Sequence, residues 1–466
     1  MSPTPDLTED TIVAIATPSG RGGIGIVRLS GSAARTIAEP LLKLRHPLAP
    51  AQARFAEVLD TATNETLDEA VVTYFAAPHS YTSEDVVEIA THGSPVLLDY
   101  LLRQSVAAGA RLAEHGEFTQ RAFLSGRLDL TQAEAVNDLI EATTLHQARI
   151  AARQLGGSLS RLIAPIKEKL ISLIAALEAG IDFAEDDIDL LPANEITTQI
   201  KAIHASLTTF EQTFAYGRIV RDGFTLAIIG RPNAGKSSLF NRLVQRDRAI
   251  VTAAPGTTRD PVTERISLEG IPVELIDTAG LRHTSDTSNK PLDEAESIGI
   301  AKSREAMAEA DVVLLVLDAT TPLHQEDEAI LTASTRPFLV VINKHDLIPT
   351  TGIAHRISDQ SAHTMVETSA LTGAGISELR QAILSLITAN APISETALLT
   401  NLRQQQAVTS ALAALSQALR AVAATIPHEM ILLDLYAALH ALDTLTGATT
   451  TDDILHLIFN KFCIGK

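Results

Sequence analysis

The chain has 466 residues, with 37 lysines and arginines against 56 aspartates and glutamates, for a net charge of −19. A chain this acidic is a poor general polyanion binder, because counterion release requires clustered basic side chains, so any nucleic-acid contact has to be local or supplied by a partner. The single cysteine, Cys463, excludes an internal disulfide framework and favours a reducing compartment. The sequence shows no signal peptide and no run long enough to span a bilayer, so we expect a cytoplasmic protein of about three domains that does not act in a membrane.

The N-terminal residues 1–125 alternate strand and helix patterns and predict a small α+β domain. Gly20-Arg-Gly-Gly-Ile-Gly25 formally satisfies the dinucleotide fingerprint G-x-G-x-x-G, but the next residues alternate like a strand, whereas the fingerprint must open a helix. A glycine-rich β-hairpin with Arg28 on its second strand is the better interpretation. Glu88 lies in an otherwise apolar strand, and its spacing alone favours an edge-strand charge that faces water.

Two helical blocks, residues 126–222 and 388–466, share an Ala/Leu/Gln-rich composition and flank a central module at 223–387. They suggest one helical domain into which the module is inserted, which close domain termini make tolerable. Thr131 followed by Glu134 predicts a capping box at the first helix.

Two further segments of the helical blocks can be interpreted from their composition. The apolar C-terminal segment predicts a docked helix with Cys463 as a buried thiol. The acidic run Asp182–Asp189 is typical of a solvated connector.

The central module opens with a phosphate-binding loop, Gly230-Arg-Pro-Asn-Ala-Gly-Lys-Ser-Ser238, between a short apolar strand and a helical pattern. This is the context that G-x-x-x-x-G-K-[ST] requires, since successive N–H groups and a helix N-terminus then point at the phosphates. Lys236 is expected to reach the β- and γ-phosphates, and the Ser237 hydroxyl to coordinate Mg²⁺.

Downstream motifs identify the nucleotide. Ile271–Gly280 is a strand that ends in D-x-x-G, and Asn343-Lys-His-Asp346 is an N-K-x-D element whose Asp346 carboxylate can pair with the N1–H and amine of guanine. The segment Ala254–Asp260 precedes the D-x-x-G, and we expect it to be a mobile loop that can complete the Mg²⁺ shell. The order of these motifs predicts an α/β P-loop GTPase domain. The predicted GTP contacts are Asn233, Ala234, Gly235, Lys236, Ser237, Ser238, Thr252, Ala253, Ala254, Pro255, Gly256, Thr257, Thr258, Asp277, Thr278, Ala279, Gly280, Asn343, Lys344, Asp346, Ser369, Ala370 and Leu371.

The residue after D-x-x-G is Leu281, where many GTPases have a glutamine that orients the attacking water. Leucine cannot orient water, so another group has to do so. The candidates are an acidic side chain, Glu294 or Glu296, and a cation beyond Mg²⁺, for which Asn233 in the phosphate loop is well placed.

The chain resembles the MnmE (TrmE) family of tRNA-modification GTPases along essentially its whole length. The most specific motifs lie outside the GTPase module: Ala16–Arg28, Ser80–Glu88, Gly116–Leu124 with Leu128–Ala135, and Phe462–Lys466. The resemblance implies a multidomain fold with a folate-binding and dimerising N-terminal domain, a helical domain and an inserted GTPase of the Ras-like type. It also implies that a homodimer assembles with an FAD-containing MnmG-like partner into a heterotetramer. This assembly would modify C5 of the wobble uridine of certain tRNAs, bound largely with the partner, to a carboxymethylaminomethyl or aminomethyl group.

The resemblance also implies a site for 5-formyl- or methylene-tetrahydrofolate, with contacts from Arg28, Glu88, Arg127 and Lys466. It moves the interpretation of Glu88 from a solvated charge to a carboxylate that recognises the pterin. Arginine stands at 127 where lysine is expected, which keeps the charge but changes the geometry. Ser83, Ser94 and His115 replace an expected Gly, Gly and Pro.

In the GTPase module the resemblance places K⁺ on Asn233, Thr252, Ala254 and Thr257, and Mg²⁺ on Ser237 and Thr258. It assigns the water-positioning role to Glu296, although the long segment from Leu281 leaves Glu294 open. It brings Cys463 close to the folate pocket. The catalytic candidates are therefore Glu296, Lys236 and Cys463.

Two alternatives come from other functional classes. One is a ribosome-assembly or RNA-binding GTPase switch of the Era/EngA kind, which shares the N-x-G-K-S loop but is expected to carry a basic KH-like domain or a second GTPase module. The other is a GTP-regulated scaffold that uses its dimeric N-terminal domain only to hold partners. The charge of −19 disfavours the first, and folate binding separates both from the main interpretation.

Overall fold

A computed structural model describes residues 10–182, 191–244, 263–277, 310–324, 327–328, 331, 337–347, 364–388, 398–449 and 452–465. The chain divides into two compact units. Unit 1 comprises Met1–Asn137, Gln154–Lys167 and Tyr436–Lys466, and unit 2 comprises Asp138–Arg153 and Glu168–Leu435. Within the residues just given, no helix is long and apolar enough to cross a membrane.

Unit 1 contains a seven-stranded sheet in the order β3-β4-β5-β6-β2-β1-β7. Neighbouring strands are antiparallel except β1 and β7, which are parallel. The strands are β1 Ile12–Ile15, β2 Gly22–Ser30, β3 Leu42–Leu44, β4 Gln52–Leu59, β5 Thr66–Phe75, β6 Val86–Gly93 and β7 Arg111–Leu112.

The N-terminal glycines form part of a β-hairpin, as predicted. β1 and β2 pair antiparallel with Ile15 opposite Val27, so the segment after the glycines is a strand and the dinucleotide interpretation is excluded. Glu88 lies on β6, which β5 and β2 flank on either side. The expectation of an edge-strand charge is therefore wrong, because the cross-strand partner of Glu88 is Arg28 rather than water.

The helices of the N-terminal part cover this sheet and continue into the helical blocks. Leu98 and Leu101 of the second helix are buried in one core with the inward side chains of the strands. The helices before the central module are α1 Ala34–Ala38, α2 Pro95–Ala107, α3 Glu117–Leu124, α4 Leu130–Glu141, α5 Leu145–Leu155, α6 Ser158–Asp182, α7 Ala193–Glu211 and α8 Phe214–Asp222.

The capping box at α4 is two residues earlier than predicted. The Oδ1 of Asp129 accepts from the backbone N–H of Gln132 (2.9 Å), and the Gln132 Oε1 accepts from the N–H of Asp129 (3.0 Å). Thr131 and Glu134 lie inside the helix. A polar cap residue followed three residues later by Gln or Glu is present at both positions, and the first one is used because α4 begins at Leu130.

Unit 2 contains a six-stranded sheet in the order β13-β12-β11-β8-β10-β9. Its strands are parallel except β9, which pairs antiparallel with β10. Helices α9 Lys236–Val244 and α10 Ile376–Thr388 supply residues to its core. The strands are β8 Phe224–Ile229, β9 Thr263–Leu268, β10 Ile271–Asp277, β11 Val312–Asp318, β12 Phe338–Asn343 and β13 Met365–Glu367.

Among the described residues, the helices after the central module are α11 Leu402–Ala423, α12 His428–Thr446 and α13 Asp452–Phe459. In unit 2, α7 packs along α11, and the His204 Nε2 lies 3.1 Å from the Ser416 hydroxyl. In unit 1, Phe459 and Phe462 are buried beside Leu130, so the docked C-terminal helix is confirmed. The prediction that Cys463 is a buried thiol is wrong, because Cys463 is exposed. The domain boundaries at residues 125, 222 and 387 remain predictions.

The turn between β9 and β10 is anchored at its tip within unit 2. Glu269 and Gly270 both have positive φ, 49° and 86°, as a two-residue hairpin turn of the primed kind requires. The Thr144 hydroxyl donates to the Gly270 carbonyl at 2.6 Å, and a Cβ at Gly270 would lie 2.5 Å from the Cβ of His146. The side chain amide of Gln147 donates to the Arg221 carbonyl at 2.7 Å, which attaches the start of α5 to α8 as well.

A buried ionic cluster holds the start of β1, β7 and α3 together in unit 1. Arg121, whose side chain is 3% exposed, pairs with Asp10, Glu84 and Glu117. Arg111 donates to the 2% exposed Glu117 at 2.6 Å, and the N–H of Glu114 donates to it at 2.8 Å. Burial raises the pKa of Glu117, but these hydrogen bonds outweigh it and hold the pKa below its usual value.

We expect the free energy of unfolding of the N-terminal sheet to decrease at acid pH because of this cluster. Because the folded pKa of Glu117 is lowered, its contribution is present above the unfolded pKa and is lost as the pH falls through the folded pKa. Arg111→Gln removes one donor, so the acid-unfolding midpoint followed by circular dichroism should move to higher pH. Arg103→Gln, which removes an exposed pair with Asp99, is the control and should leave the midpoint in place. Equal midpoints for the two variants would contradict the role of the cluster.

Candidate functional site

The phosphate loop joins β8 to α9 in a conformation that depends on its glycines. Gly230 and Gly235 have φ values of 141° and 91°, which side chains rarely adopt. A Cβ at Gly230 would lie 2.3 Å from the carbonyl oxygen of Val316, so the loop passes directly against β11. α9 then begins at Lys236, which leaves the N–H groups of its first turn at the loop, where they can bind phosphate.

Lys236 is buried within this loop. Its Nζ donates to the carbonyl oxygens of Gly230 and Arg231, at 2.8 Å each, so the ammonium group is held at the mouth of the loop. Ser237 and Asn233 are exposed, and Asn233 has a positive φ of 65°. Both residues are therefore accessible from outside the loop, and their assignment to cations stays a prediction.

Asn343 connects the phosphate loop to the base-reading loops. It is 1% exposed, and its Nδ2 donates to the Ala234 carbonyl at 3.0 Å. Its Oδ1 accepts from the N–H of Ala370 at 3.0 Å. Asp346 lies in a short 3₁₀ turn, His345–Leu347, and is exposed, so its carboxylate is available to a base. The structure thus brings Ala234, Asn343 and Ala370 together at one edge of the sheet.

Lys344 is held by an ion pair that the motif does not include. Its Nζ lies 2.6 Å from the Oδ2 of Asp318, the last residue of β11. The Oδ1 of Asp318 accepts from the backbone N–H of Thr320 at 2.9 Å and from its hydroxyl at 2.6 Å. Burial raises the pKa of Asp318, but the bonds from Lys344 and Thr320 outweigh it and lower the pKa below its usual value. Asp318 therefore stays ionised and fixes the lysine next to Asn343.

A second candidate site lies in unit 1, where Arg28 and Glu88 face each other across β2 and β6. The Nε and Nη2 of Arg28 lie 2.8 and 2.7 Å from the Oε1 of Glu88. The Arg28 guanidinium also lies over the rings of Phe118 and Tyr81, at 5.6 and 6.0 Å from their centroids. Its Nη1 donates to the carbonyl oxygen of Gly465 at 3.2 Å, so residues from both ends of the chain meet here.

The Tyr81 ring contacts the guanidinium groups of both Arg28 and Arg127. The Arg127 guanidinium lies 5.4 Å from the centroid of the Tyr81 ring, and it also donates to the Ser80 carbonyl. The Tyr81 hydroxyl is 3.0 Å from that of Thr119. Burial raises the pKa of Tyr81, so the phenol stays neutral. The loop departs from ordinary geometry at Ser83, whose φ of 65° explains why glycine is expected there.

Several predicted residues lie outside the described residues: Thr252, Ala253, Ala254, Pro255, Gly256, Thr257, Thr258, Thr278, Ala279, Gly280, Leu281, Glu294, Glu296, Lys466 and most of the connector Asp182–Asp189. Asp277 is the last residue of β10, opposite Ile228 of β8. Of the four predicted folate contacts, Arg28 and Glu88 are in direct contact, and Arg127 is connected to them through Tyr81.

The similarity of this chain to known proteins covers the residues of both candidate sites. A family model described as the N-terminus of the GTP-binding protein TrmE matches residues 11–127, and one for the MnmE helical domain matches residues 130–463. The tRNA modification GTPase MnmE of Koribacter versatilis is 56% identical over 463 residues, which cover 98% of this chain and 99% of that protein. The chain belongs to the MnmE family of tRNA modification GTPases.

Other MnmE relatives match over a similar extent. The protein from Aquifex aeolicus is 42% identical and covers 98% of this chain and all of that protein (100%). Among solved structures, Era from Aquifex aeolicus is 27% identical, covering 41% of this chain and 66% of that one, and its TM-score of 0.27 does not establish the fold. The Ras-like fold follows instead from the strand order and the phosphate loop after β8. As a member of the MnmE family, this protein binds GTP and is a GTPase that acts in tRNA modification.

The motifs of the MnmE family do not reveal every residue that the sites use. Asp318 was missed, although an acidic residue at the carboxyl end of a fully apolar strand is a signal, because ligands bind at that edge of parallel sheets. Tyr81 and Phe118 lie within the motifs Ser80–Glu88 and Gly116–Leu124, but their contacts with Arg28 depend on the folded chain.

We predict that Asp318→Asn weakens GTP binding about tenfold, or ~1.4 kcal/mol, because it removes the charge that fixes Lys344. Nucleotide affinity can be measured with a fluorescent GTP analogue. Asp311→Asn is a matched control. Asp311 comes directly before β11, at the end of the strand opposite Asp318, and its Oδ2 accepts from the N–H of Thr225 at 3.0 Å. Wild-type GTP affinity in both variants would contradict the prediction that Asp318 supports GTP binding.

Proposed function

We propose that this protein hydrolyses GTP in order to drive modification of C5 of the wobble uridine of certain tRNAs to a carboxymethylaminomethyl or aminomethyl group. The one-carbon unit would come from 5-formyl- or methylene-tetrahydrofolate. Membership of the MnmE family supports the link to tRNA modification. The observation that carries the folate part is the Arg28–Glu88 pair, placed among aromatic rings within reach of the C-terminal segment.

The residues at this pair fit a reduced pterin. Both contacts from Arg28 fall on the Oε1 of Glu88, and the two side chains are 16% and 26% exposed. Among the described residues, the Oε2 is thus left to accept from the amino-pyrimidine edge of a pterin, which presents paired N–H donors. Tyr81 and Phe118 offer apolar ring surface, and Arg127 offers a charge for the carboxylates of the folate tail. Lys466 is the fourth contact in this proposal.

In the GTPase site, we assign the Mg²⁺ ligands to Ser237 and Thr258. Asn233, with Thr252, Ala254 and Thr257, holds K⁺ next to the phosphates. The exposed side chain of Asn233 in the phosphate loop supports this assignment. Because Leu281 cannot orient water, Glu296 takes that role, with Glu294 as the alternative.

The proposed assembly is a homodimer, formed through the N-terminal domain, that joins an FAD-containing MnmG-like protein in a heterotetramer. The net charge of −19 supports a division in which the partner supplies most of the tRNA contacts. We expect the reaction to take place in the cytoplasm. The proposed domains are residues 1–125, 126–222 with 388–466, and 223–387.

The decisive experiment for this function is mass analysis of tRNA wobble uridines from a host that lacks this gene. The wild-type gene should restore the modified nucleoside. Glu88→Gln should not restore it, because it removes the carboxylate that pairs with the pterin, while GTP hydrolysis by the purified variant persists. Glu57→Gln on β4, whose carboxylate pairs with Lys43, is the control and should restore modification. Restoration by Glu88→Gln, or no binding of 5-formyl-tetrahydrofolate to the wild-type protein in calorimetry, would refute the folate proposal.

We further predict that GTP hydrolysis is at least about tenfold faster in K⁺ than in Na⁺ at equal ionic strength, a difference of ~1.4 kcal/mol in the barrier. The reason is that a cation on Asn233 would offset the charge that develops between the β- and γ-phosphates. Asn233→Ala should abolish the difference between the two salts. Phosphate release measured in both salts checks this, and equal rates for the wild type would exclude the cation.

A further inference from the structure

The C-terminal tail, Phe462–Gly465, follows α13 and is attached to the N-terminal part of unit 1 by its backbone. Ile464 forms an antiparallel bridge with His115. Gly116 has a φ of 66°, and a Cβ there would lie 2.8 Å from the Phe459 carbonyl oxygen. Gly465 has a φ of 99°, and its Cβ would lie 2.6 Å from the Ile15 carbonyl oxygen. The approach on both sides is so close that it needs glycine.

His115 adds a side-chain contact to this attachment. Its Nδ1 lies 2.9 Å from the carbonyl oxygen of Phe462. A carbonyl oxygen only accepts, so Nδ1 has to carry the proton in this contact. Proline, the residue that the family resemblance leads us to expect at 115, has no donor on its side chain. The contact is therefore a feature of this chain that the family motif does not supply.

The other end of the tail contacts the Arg28–Glu88 pair. The Arg28 Nη1 donates to the Gly465 carbonyl at 3.2 Å, while the same guanidinium is ion-paired with Glu88. The tail is thus fixed by side chains at Phe462 and at Gly465. Cys463 and Ile464, between the two points, are exposed.

We propose that His115 is a positioning residue that holds the C-terminal tail against the Arg28–Glu88 pair and thereby sets the affinity of that site for a reduced pterin, a role that rests on the proposed folate site. His115 does not reach the pair itself. It acts through Phe462: without this contact the tail keeps its backbone bridge at Ile464 and the bond from Arg28, but it has more conformational freedom and presents the Gly465 carbonyl to Arg28 for less of the time. Ordering the tail in advance reduces the entropy that ligand binding has to overcome.

The first test measures the mobility of the tail in the full-length protein. Cys463 is the single cysteine and is exposed, so a nitroxide spin label attaches there without other substitutions. Electron paramagnetic resonance should show a restricted label in the wild type and a more mobile one in His115→Ala. His115→Asn should restore the restriction, because the asparagine Nδ2 is bonded to Cγ as the histidine Nδ1 is. Identical spectra for the wild type and His115→Ala would overturn the proposal.

A matched control separates this contact from a general effect of losing histidine. His92, at the carboxyl end of β6, is exposed and pairs with Asp68 at 2.7 Å. His92→Ala should leave the label restricted. Thermal unfolding of each variant establishes that it is folded, and a mobile label in His92→Ala would also overturn the specific role of His115.

The second test is calorimetry of the unlabelled variants with 5-formyl-tetrahydrofolate. His115→Ala should weaken binding about tenfold, the size expected for one charge-free hydrogen bond at the upper end of its range, and His115→Asn should bind within about twofold of the wild type. A mobile tail with unchanged affinity would refute the link to the ligand. If the wild type binds no folate while the tail responds as predicted, the folate function fails and the attachment by His115 stands. If folate binds but the tail does not respond to His115→Ala, the positioning role fails and the proposed function stands.

Discussion

The GTP site depends on one geometric constraint: parallel strands that run in the same direction end at the same edge of their sheet. In this sheet β8 is flanked by β10 and β11, with β12 next to β11. The phosphate loop, Asp277, Asp318 and Asn343 therefore follow or end neighbouring strands. Residues far apart in sequence then lie close enough to hydrogen-bond, as the 3.0 Å contact between Asn343 and Ala234 shows. The motifs are far apart in the sequence because each one follows or ends a different strand.

The second site uses the opposite arrangement. An antiparallel sheet places Arg28 and Glu88 side by side in the interior of the sheet, and the C-terminal segment returns to the same place. Arg28 and Gly465 are separated by 437 residues, yet their contact is direct. A long chain can be interrupted in this way because its last segment, Tyr436–Lys466, belongs to the same compact unit as Met1–Asn137 and Gln154–Lys167.

The sequence predicts those features that are set locally. The glycines of the phosphate loop, the apolar parallel strands and the docked C-terminal helix are each specified by residues next to each other in the chain, and the structure has them. One mispredicted feature, the capping box of α4, is local, and there two overlapping patterns compete. The other features that were mispredicted or missed are set by pairing over longer distances. The neighbours of Glu88 depend on sheet order, the Asp318–Lys344 pair on the register of β11 and β12, and the exposure of Cys463 on how the tail docks. No periodicity within one segment contains that information.

The anchored turn at Gly270 has a mechanical consequence for the GTPase module. β9 follows the predicted loop around Thr258 in sequence, and β10 ends at Asp277 of D-x-x-G, so both strands of the hairpin lead to segments that contact nucleotide in the proposed site. Thr144 fixes the far end of the hairpin through the Gly270 carbonyl. β10 also pairs with β8 from Val273 to Asp277, so the hairpin is held along its inner strand as well as at its tip. The two segments that lead to the proposed nucleotide contacts are therefore joined by a hairpin whose tip and whose inner strand are both held within unit 2, which restricts independent movement of either strand.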